Sequence, residues 1–305
     1  MSPAARRAVV TAVVGLLLLG TAVVILFGNP RHRAFYFGDP ASGVAGEAVF
    51  PAPPTFELTS RSPFGRPDAV DAAPVADVVA GQRIPRPDAE GRIRVPVVDQ
   101  IPGRLPAEGV PAGWTLELLE GKGQVEVVRD EGRLAIRLRS DSASFLLHRD
   151  VLLDVAEFPY LSWAWKAVRL PRGGDVREAE SNDHAAQVYV VFPRWPSPRT
   201  TSDVIGYVWD TRAPTGTQQR APQASNVRFI VVESGADRVG TWQRQLRNVA
   251  EDYRALFGRQ PPRVGKVAVM IDADATRSEA EALLGELTFS RTPPRNVETQ
   301  ASMLR

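Results

Sequence analysis

The chain has 305 residues, of which 44% are hydrophobic and 24% charged, a composition that excludes a disordered or collagen-like protein. It contains no cysteine, which excludes disulfides, cysteine-ligated zinc, iron–sulfur clusters and thiol catalysis, because each of these needs a sulfur atom. The 37 basic and 35 acidic residues give a net charge of +2, which is too small a surplus to attract nucleic acid. No nucleic-acid partner is therefore expected.

The N-terminus contains an uncharged apolar segment, residues 8–27, with the sequence AVVTAVVGLLLLGTAVVILF. A helix of this length spans about 30 Å, the thickness of the hydrocarbon core of a bilayer. Arg6 and Arg7 precede it, and no small-residue cleavage site follows it. Residues 1–28 are therefore predicted to be an uncleaved signal anchor, in preference to a cleaved signal peptide or a buried core helix. The short N-terminal tail favours a single pass through the membrane with the C-terminal part extracytoplasmic.

A proline-rich segment follows, and fourteen of the 26 prolines lie between residues 29 and 111. Proline removes backbone donors, and alanine and glycine bury little surface, so this composition does not support a packed core. Residues 29–91 are predicted to be a flexible, partly extended stalk. The folded domain is predicted at 92–292, beginning with a short strand at 93–98, and residues 293–305 are predicted to be a disordered tail.

From Trp114 onward, alternating apolar and polar residues predict antiparallel β-structure. Residues 124–128 and 134–139 form a predicted hairpin, with Asp130–Gly132 as its turn. The remaining predicted strands lie at 144–148, 160–166, 186–192, 204–209, 228–233, 240–246, 264–271 and 283–289. Short strands in this number predict an all-β fold of two packed sheets, a sandwich or jelly roll.

One helix is predicted at 249–257. Asn248 and Glu251 have the spacing of a capping box, and Gly258 can end the helix in a left-handed conformation. Pro261 and Pro262 prevent it from continuing. We expect this helix to have a structural role, closing one end or side of the sandwich.

Several stretches are characteristic in their order and spacing: FPYLSWAWK at 158–166, GGDVR at 173–177, AQVYVVF at 186–192, YVWD at 207–210, AEDYR at 250–254, LFG at 256–258 and VAVMIDAD at 267–274. Together they resemble the bacterial family called domain of unknown function 3047, over residues 114–290. The resemblance implies a secreted or envelope protein with a sandwich similar to galactose-binding and carbohydrate-binding modules, and it supplies no established activity. We therefore expect the chain to reside in the bacterial inner membrane, with the membrane as a partner through residues 8–27.

The chain also departs from the pattern of that family. The family has an Asp-Asp pair at 182–183, asparagines at 206 and 275, and a Trp-Tyr pair at 283–284, where this chain has Asn182, Gly206, Ala275 and two leucines. Each departure removes a polar or aromatic group, so a ligand site shared by the family could be altered here.

Four polar clusters are candidates for a site in an otherwise apolar domain. They are Asp175 with Arg177, Asn182-Asp183-His184, Asp210 with Arg212, and Asp272-x-Asp274-x-Thr276. The last places three oxygen-bearing side chains at alternate positions after a strand, which suits calcium, a cation that takes six to eight oxygen ligands. The alternative is that these aspartates cap turns and pair with arginines. No organic cofactor is expected, and calcium is the metal ion that the pattern could hold.

Exposed aromatic side chains are a second indication, because sugars stack on tryptophan while their hydroxyls bond to polar groups. Trp195, in a proline-bounded loop, and Trp209, beside Asp210, are candidates for the rim of a binding site. Trp163 and Trp165 share one strand face and are predicted core residues. The sequence does not assign Trp242 to either group.

Three functions from different classes remain open. The favoured prediction is a membrane-tethered extracytoplasmic module that binds glycan or another envelope component through Asp175, Arg177, Asp183, Trp195, Trp209, Asp210 and Arg212. The second is a glycan hydrolase in which Asp183 works with Asp272 or Asp274, or His184 acts as base, provided that the carboxylates lie about 5 to 10 Å apart. The third is a scaffold for membrane-protein assembly. The motifs of serine hydrolases, zinc proteases, P-loop NTPases and dinucleotide enzymes are absent from the sequence.

Overall fold

The computed structural model describes residues 84–194, 202–222 and 224–294. This part of the chain forms two β-sheets that pack face to face, together with one α-helix and one short 3₁₀ turn at Ala179–Ser181. The predicted all-β sandwich is confirmed. The predicted anchor at 1–28 lies outside the described residues, and among those described no helix is long and apolar enough to span a membrane.

The first sheet has eight strands in the order β1-β15-β7-β14-β5-β4-β2, with β12 also pairing with β7. Strand β7 is its centre, because β14 and β15 pair with successive parts of it. The bounds of its strands are β1 Arg92–Val95, β2 Ala107–Glu108, β4 Gly123–Asp130, β5 Arg133–Asp141, β7 Tyr160–Arg169, β12 Gln243–Asn248, β14 Glu279–Leu284 and β15 Leu287–Ser290.

The second sheet has seven strands in the order β10-β11-β9-β8-β13-β6-β3. Its bounds are β3 Thr115–Glu120, β6 Ser144–Leu153, β8 Ala186–Phe192, β9 Asp203–Asp210, β10 Gln218–Arg220, β11 Val227–Ser234 and β13 Val264–Asp272. All pairs in it are antiparallel except β9 with β11, which run parallel. The prediction of antiparallel β-structure is therefore wrong at this pair. Strand β10 runs antiparallel to β11 and returns the chain to the end of the sheet at which β9 begins, so β11 runs in the same direction as β9.

The core between the sheets is built from side chains at alternate positions along the strands, which face inward. Trp163 and Trp165 of β7 lie in it, as the sequence predicts, and both are at most 4% exposed. The ring centroid of Trp163 is 5.3 Å from that of Tyr207, and that of Trp165 is 6.1 Å from that of Trp209. These two contacts join the sheets, because β7 belongs to one sheet and β9 to the other.

The outer face of the seven-stranded sheet is also buried. Tyr189, Phe229 and Met270 lie on this face and belong to a second apolar cluster that includes Val176 and Ala213 from connecting loops. Strand β8 is consequently buried at every one of its residues. The largely apolar sequences of β8 and β13 are consistent with this burial on both faces.

The α-helix α1, Val249–Phe257, begins and ends as predicted. The Asn248 side chain accepts a hydrogen bond of 3.1 Å from the Glu251 amide, and Gly258 ends the helix at a φ of 68°. The Tyr253 hydroxyl donates to Asp203 Oδ2 over 2.6 Å, which fixes the helix against β9. The strand predicted at 283–289 is divided instead into β14 and β15, with Gly285 between them.

Candidate functional site

The candidate site lies at one end of the seven-stranded sheet, where three neighbouring strands begin or end. In the antiparallel register, Met270 of β13 lies opposite Gln187 of β8, and Ala186 of β8 lies opposite Trp209 of β9. The residues before β8 therefore lie beside the residues after β13 and β9. Three of the predicted polar clusters, far apart in sequence, meet at this end.

Three aspartates form the centre of the site, and we call them the aspartate cluster: Asp183, Asp272 and Asp274. One carboxylate oxygen from each lies within 4.8 Å of the others. Asp183 is fully buried and Asp272 is 7% exposed, whereas Asp274 is half-buried and opens the cluster to solvent. Three carboxylates at this spacing repel one another unless a proton or a cation lies among them.

Asp183 holds the turn that follows β13. Its Oδ2 accepts hydrogen bonds from the Thr276 amide at 2.6 Å and the Thr276 hydroxyl at 2.5 Å. Its Oδ1 accepts from the Ala275 amide at 3.3 Å, a bond that does not depend on the side chain at that position. Residues 274–277 form a turn, so the side chains at alternate positions after β13 are not brought together by an extended strand. Thr276 still faces the cluster, through its bond to Asp183.

Asp272 is the electrostatically costly member of the cluster. Burial raises its pKa well above the usual range, and the neighbouring Asp183 and Asp274 raise that pKa further. Its Oδ1 is buried and has no hydrogen-bond partner among the described residues. A buried carboxylate oxygen without a hydrogen-bond donor is unfavourable. A bound cation could supply the missing partner.

Asp210 organises the loops beside the cluster. Its Oδ1 accepts from the amides of Arg212 and Ala213 at 2.7 and 2.6 Å, and its Oδ2 accepts from the Val176 amide at 2.8 Å. The His184 Nε2 lies 3.2 Å from the same Oδ2. Both oxygens are engaged and the side chain is fully buried, so Asp210 and His184 stabilise the site from within instead of contacting a ligand.

Two arginines lie in the exposed loops near this end of the sheet. Arg177 forms a 2.7 Å ion pair with Asp175, and this hydrogen-bonded pair lowers the pKa of Asp175. Arg212 packs over Gly173, where an added Cβ would lie 2.9 Å from its Nη2. Of the predicted ligand-binding residues that the structure describes, Arg177 and Arg212 are the exposed ones, while Asp175 is buried and holds Arg177 in place.

The predicted aromatic rim is not part of this site. Trp209 is fully buried between the sheets and donates from Nε1 to the Gly235 carbonyl over 3.1 Å, so it cannot line an open groove. Trp195 lies outside the described residues.

Sequence reasoning missed two residues that shape the site. Ser278 Oγ lies 2.7 Å from the Thr276 hydroxyl and extends the polar network. Gly174 packs so closely that a Cβ would lie 2.2 Å from the Asp183 carbonyl oxygen. The sequence carries no signal for Ser278, and the Gly173-Gly174 pair indicates a turn but not its partner.

A comparison with family models matches residues 112–288, more than half of the chain, to the family described as Protein of unknown function (DUF3047). The chain belongs to the DUF3047 family. The match includes the aspartate cluster and all strands from β3 to β14. A comparison of this DUF3047 chain with curated proteins found no match.

A comparison of the DUF3047 domain with solved structures found several similar chains. The endo-D glycoside hydrolase domain from Streptococcus pneumoniae R6 matches with 14% identity and a TM-score of 0.33, covering 59% of this chain and 22% of that one. The NopAA xyloglucanase domain from Sinorhizobium fredii matches with 10% identity and a TM-score of 0.36, covering 61% and 95%. A carbohydrate-binding module of the β-sandwich superfamily matches with 14% identity and a TM-score of 0.29, covering 57% and 55%. Likeness at this level does not establish a shared activity.

Proposed function

We propose that this DUF3047 protein is a membrane-tethered extracytoplasmic module that binds glycan or another envelope component through a calcium ion held by the aspartate cluster. The observation that carries the proposal is the buried, unpartnered Asp272 Oδ1 among three carboxylates whose oxygens lie within 4.8 Å of one another. An all-oxygen donor set of this kind suits calcium.

The cluster favours binding over hydrolysis. A general acid or nucleophile must reach the glycosidic bond, but Asp183 is fully buried and accepts three hydrogen bonds from the turn at Ala275 and Thr276. Asp272 is almost as deeply buried. The half-buried Asp274 leaves one side of the cluster open, where adjacent sugar hydroxyls could complete the coordination of calcium and the Arg177 and Arg212 side chains could contact the same ligand.

A scaffold role has less support. Among the described residues, the large hydrophobic side chains that are exposed are Ile101, Val110 and Leu118. Three such residues are few for the broad apolar patch that assembly of a protein complex would use.

The membrane-tethered part of the proposal depends on residues 8–27 and is tested separately. The full-length chain is expected in the membrane fraction of cells, with its C-terminal domain accessible to protease from the extracytoplasmic side. Deletion of residues 2–28 should release it from the membrane. A full-length chain that fractionates with soluble proteins would contradict the tether.

The binding proposal is tested by thermal unfolding of the full-length chain in detergent with calcium, with EDTA and with a panel of envelope polysaccharides. A ligand that binds only the folded state at 100 times its Kd adds about 2.7 kcal/mol to the free energy of unfolding, which raises Tm by several degrees. Calcium is expected to give such a shift, and Asp272→Asn to abolish it.

The matched control is Asp237→Asn, which removes one exposed aspartate outside the cluster. It should keep the full calcium shift. If wild type shows no shift, or if Asp272→Asn shifts as much as wild type, the aspartate cluster is not a calcium site. If calcium binds but no polysaccharide changes Tm, the glycan part of the proposal fails on its own.

A further inference from the structure

A second polar surface lies on the eight-stranded sheet, whereas the aspartate cluster lies at one end of the seven-stranded sheet. It is a groove of about 890 Å³ on the outer face of the eight-stranded sheet, across β1, β15, β7 and β12. We call it the arginine trough. This volume is in the range of pockets that hold small ligands, and it is open along the sheet.

Small side chains form the floor of the arginine trough. Ser162 and Ala164 of β7 alternate with inward residues, and Thr288 of β15 lies opposite Ser162 in the register. Ser290 lies two residues further along β15, on the same face. The floor is low because none of these side chains extends far from the sheet, and three of the four carry hydroxyl groups.

Arginines rise from the strands on either side of this floor. Arg94 of β1 lies opposite Thr288, and Arg92 lies opposite Ser290. On the other side, Arg244 of β12 lies opposite Ala164. Strands β1 and β12 are separated by three strand spacings, about 14 Å, so the arginines flank a channel wide enough for one extended polymer chain.

The fourth arginine, Arg133, lies beside a tryptophan that the sequence left unassigned. The Arg133 guanidinium is 5.6 Å from the centroid of the half-buried Trp242 ring, and the Trp242 Nε1 donates to Asp130 Oδ2 over 2.8 Å. Trp242 directly precedes β12 and its Arg244. Trp242 thus supports one end of the trough through Arg133.

The charge of the trough is positive and only partly neutralised. Four arginines and two glutamates, Glu90 and Glu286, line it. Arg92 and Arg94 pair with nearby acids such as Asp88, whereas Arg133 and Arg244 are exposed and form no ion pair within the described part of the chain. Two exposed guanidinium groups are therefore available to anionic groups of a ligand.

We propose that the arginine trough binds a uronate-bearing polysaccharide, with sugar carboxylates on Arg133 and Arg244 and sugar hydroxyls on the floor and on Glu90 and Glu286. This inference rests on the proposed glycan-binding function, because it takes a sugar polymer as the ligand. Acceptor carboxylates in the lining suit a polymer that also carries hydroxyl donors. A polymer of charge alone, such as polyphosphate, has no hydroxyl groups to donate to these glutamates and satisfies only the arginines.

The test is titration of the full-length chain with polygalacturonate oligosaccharides, a neutral glucan of equal length and polyphosphate. The double variant Arg133→Gln/Arg244→Gln should weaken polygalacturonate binding on the order of tenfold per arginine, since each loses a charge-assisted hydrogen bond. The matched control is Arg254→Gln/Arg263→Gln, which removes two exposed arginines outside the trough and should bind as wild type. Thermal unfolding of each variant checks that it is folded.

Four results would overturn the inference. Equal loss of affinity in both double variants would show an effect of net charge alone. Equal binding of polyphosphate and polygalacturonate would show a general polyanion site. Loss of polygalacturonate binding in Asp272→Asn but not in Arg133→Gln/Arg244→Gln would place the glycan at the aspartate cluster, which keeps the proposed function and removes the trough. If wild type binds no polysaccharide while calcium still raises Tm, the trough and the glycan part of the function fail together and the calcium site stands.

Discussion

His184 and Asp272 exchange two backbone hydrogen bonds, from His184 N to Asp272 O and from Asp272 N to His184 O, each 3.0 Å long. This pair lies just beyond the last registered residues of β8 and β13 and continues their ladder. It brings Asp183, the residue before His184, against the Asp272 side chain. The aspartate cluster therefore depends on the register of two strands that are distant in sequence.

Loss of the Thr276 hydroxyl is predicted to weaken both the turn and the cation site. Thr276→Val keeps the shape of the side chain but removes the 2.5 Å bond to Asp183, a bond to a charged acceptor worth about 1.5–3 kcal/mol. We expect a decrease of this size in the free energy of unfolding, measured by denaturant titration, and a smaller Tm shift with calcium. Thr276→Ser keeps the hydroxyl and should restore both; failure of Ser to restore them would place the effect in packing.

Asp210→Asn is predicted to destabilise the domain by about 3 kcal/mol. The Asp210 carboxylate accepts three backbone amide hydrogen bonds. In the asparagine variant the NH₂ group would point its hydrogens at one or more of these amide N–H groups, and those bonds would be lost. Urea unfolding of the variant and of the exposed control Asp237→Asn gives the comparison. Equal stability of the two variants would contradict the internal role assigned to Asp210.

Gly174→Ala is predicted to disturb the loop that covers Asp183. The added Cβ would lie 2.2 Å from a backbone oxygen, which cannot move aside as a flexible side chain can, so we expect a loss of roughly 1–3 kcal/mol and weaker calcium binding. Gly103→Ala is the control, because nothing lies within 4 Å of its added Cβ. Thermal unfolding with and without calcium separates the two effects, and a Gly174→Ala protein that matches Gly103→Ala in both would refute the close contact.

The stability of the domain is predicted to decrease as the pH decreases, because of His148. Burial, and then the charge of Lys266, lower the pKa of His148 from 6.5 to about 3, and Lys266 in turn pairs with Asp150 at 3.4 Å. Below pH 6.5 the unfolded chain binds a proton that the folded chain does not. The free energy of unfolding should therefore decrease from pH 6.5 towards pH 3, by up to about 1.4 kcal/mol per pH unit from this group.

The measurement is urea unfolding of wild type and His148→Gln between pH 7 and pH 4. Glutamine can still accept a hydrogen bond from Lys266 Nζ, which lies 2.9 Å from His148 Nδ1, but it does not titrate. The wild-type profile should be steeper by the contribution of His148, since His184 is retained in both proteins. Parallel profiles would show that His148 is not held neutral.

The sequence by itself determined the elements and the chemistry of the residues near the cluster. Local patterns were sufficient for the helix, because the capping interaction of Asn248 with Glu251 and the end at Gly258 both act within one turn. Period-two alternation predicted most strands, because this pattern also lies within a single short segment. The sequence also identified Asp183, Asp272, Asp274 and Thr276 as candidate site residues, because clusters of carboxylates and hydroxyls are unusual in an apolar β domain.

Only the tertiary structure decided which of these residues meet and which face water. Strand pairing depends on contacts between distant segments, so the parallel pair of β9 and β11 and the meeting of Asp183 with Asp272 could not be found from local patterns. The same is true of Trp209. Its position beside Asp210 in the sequence predicted a ligand-binding residue, but the packing of the two sheets buries it in the core. The arginine trough is decided by register, since its arginines come from strands that adjoin only in the folded sheet.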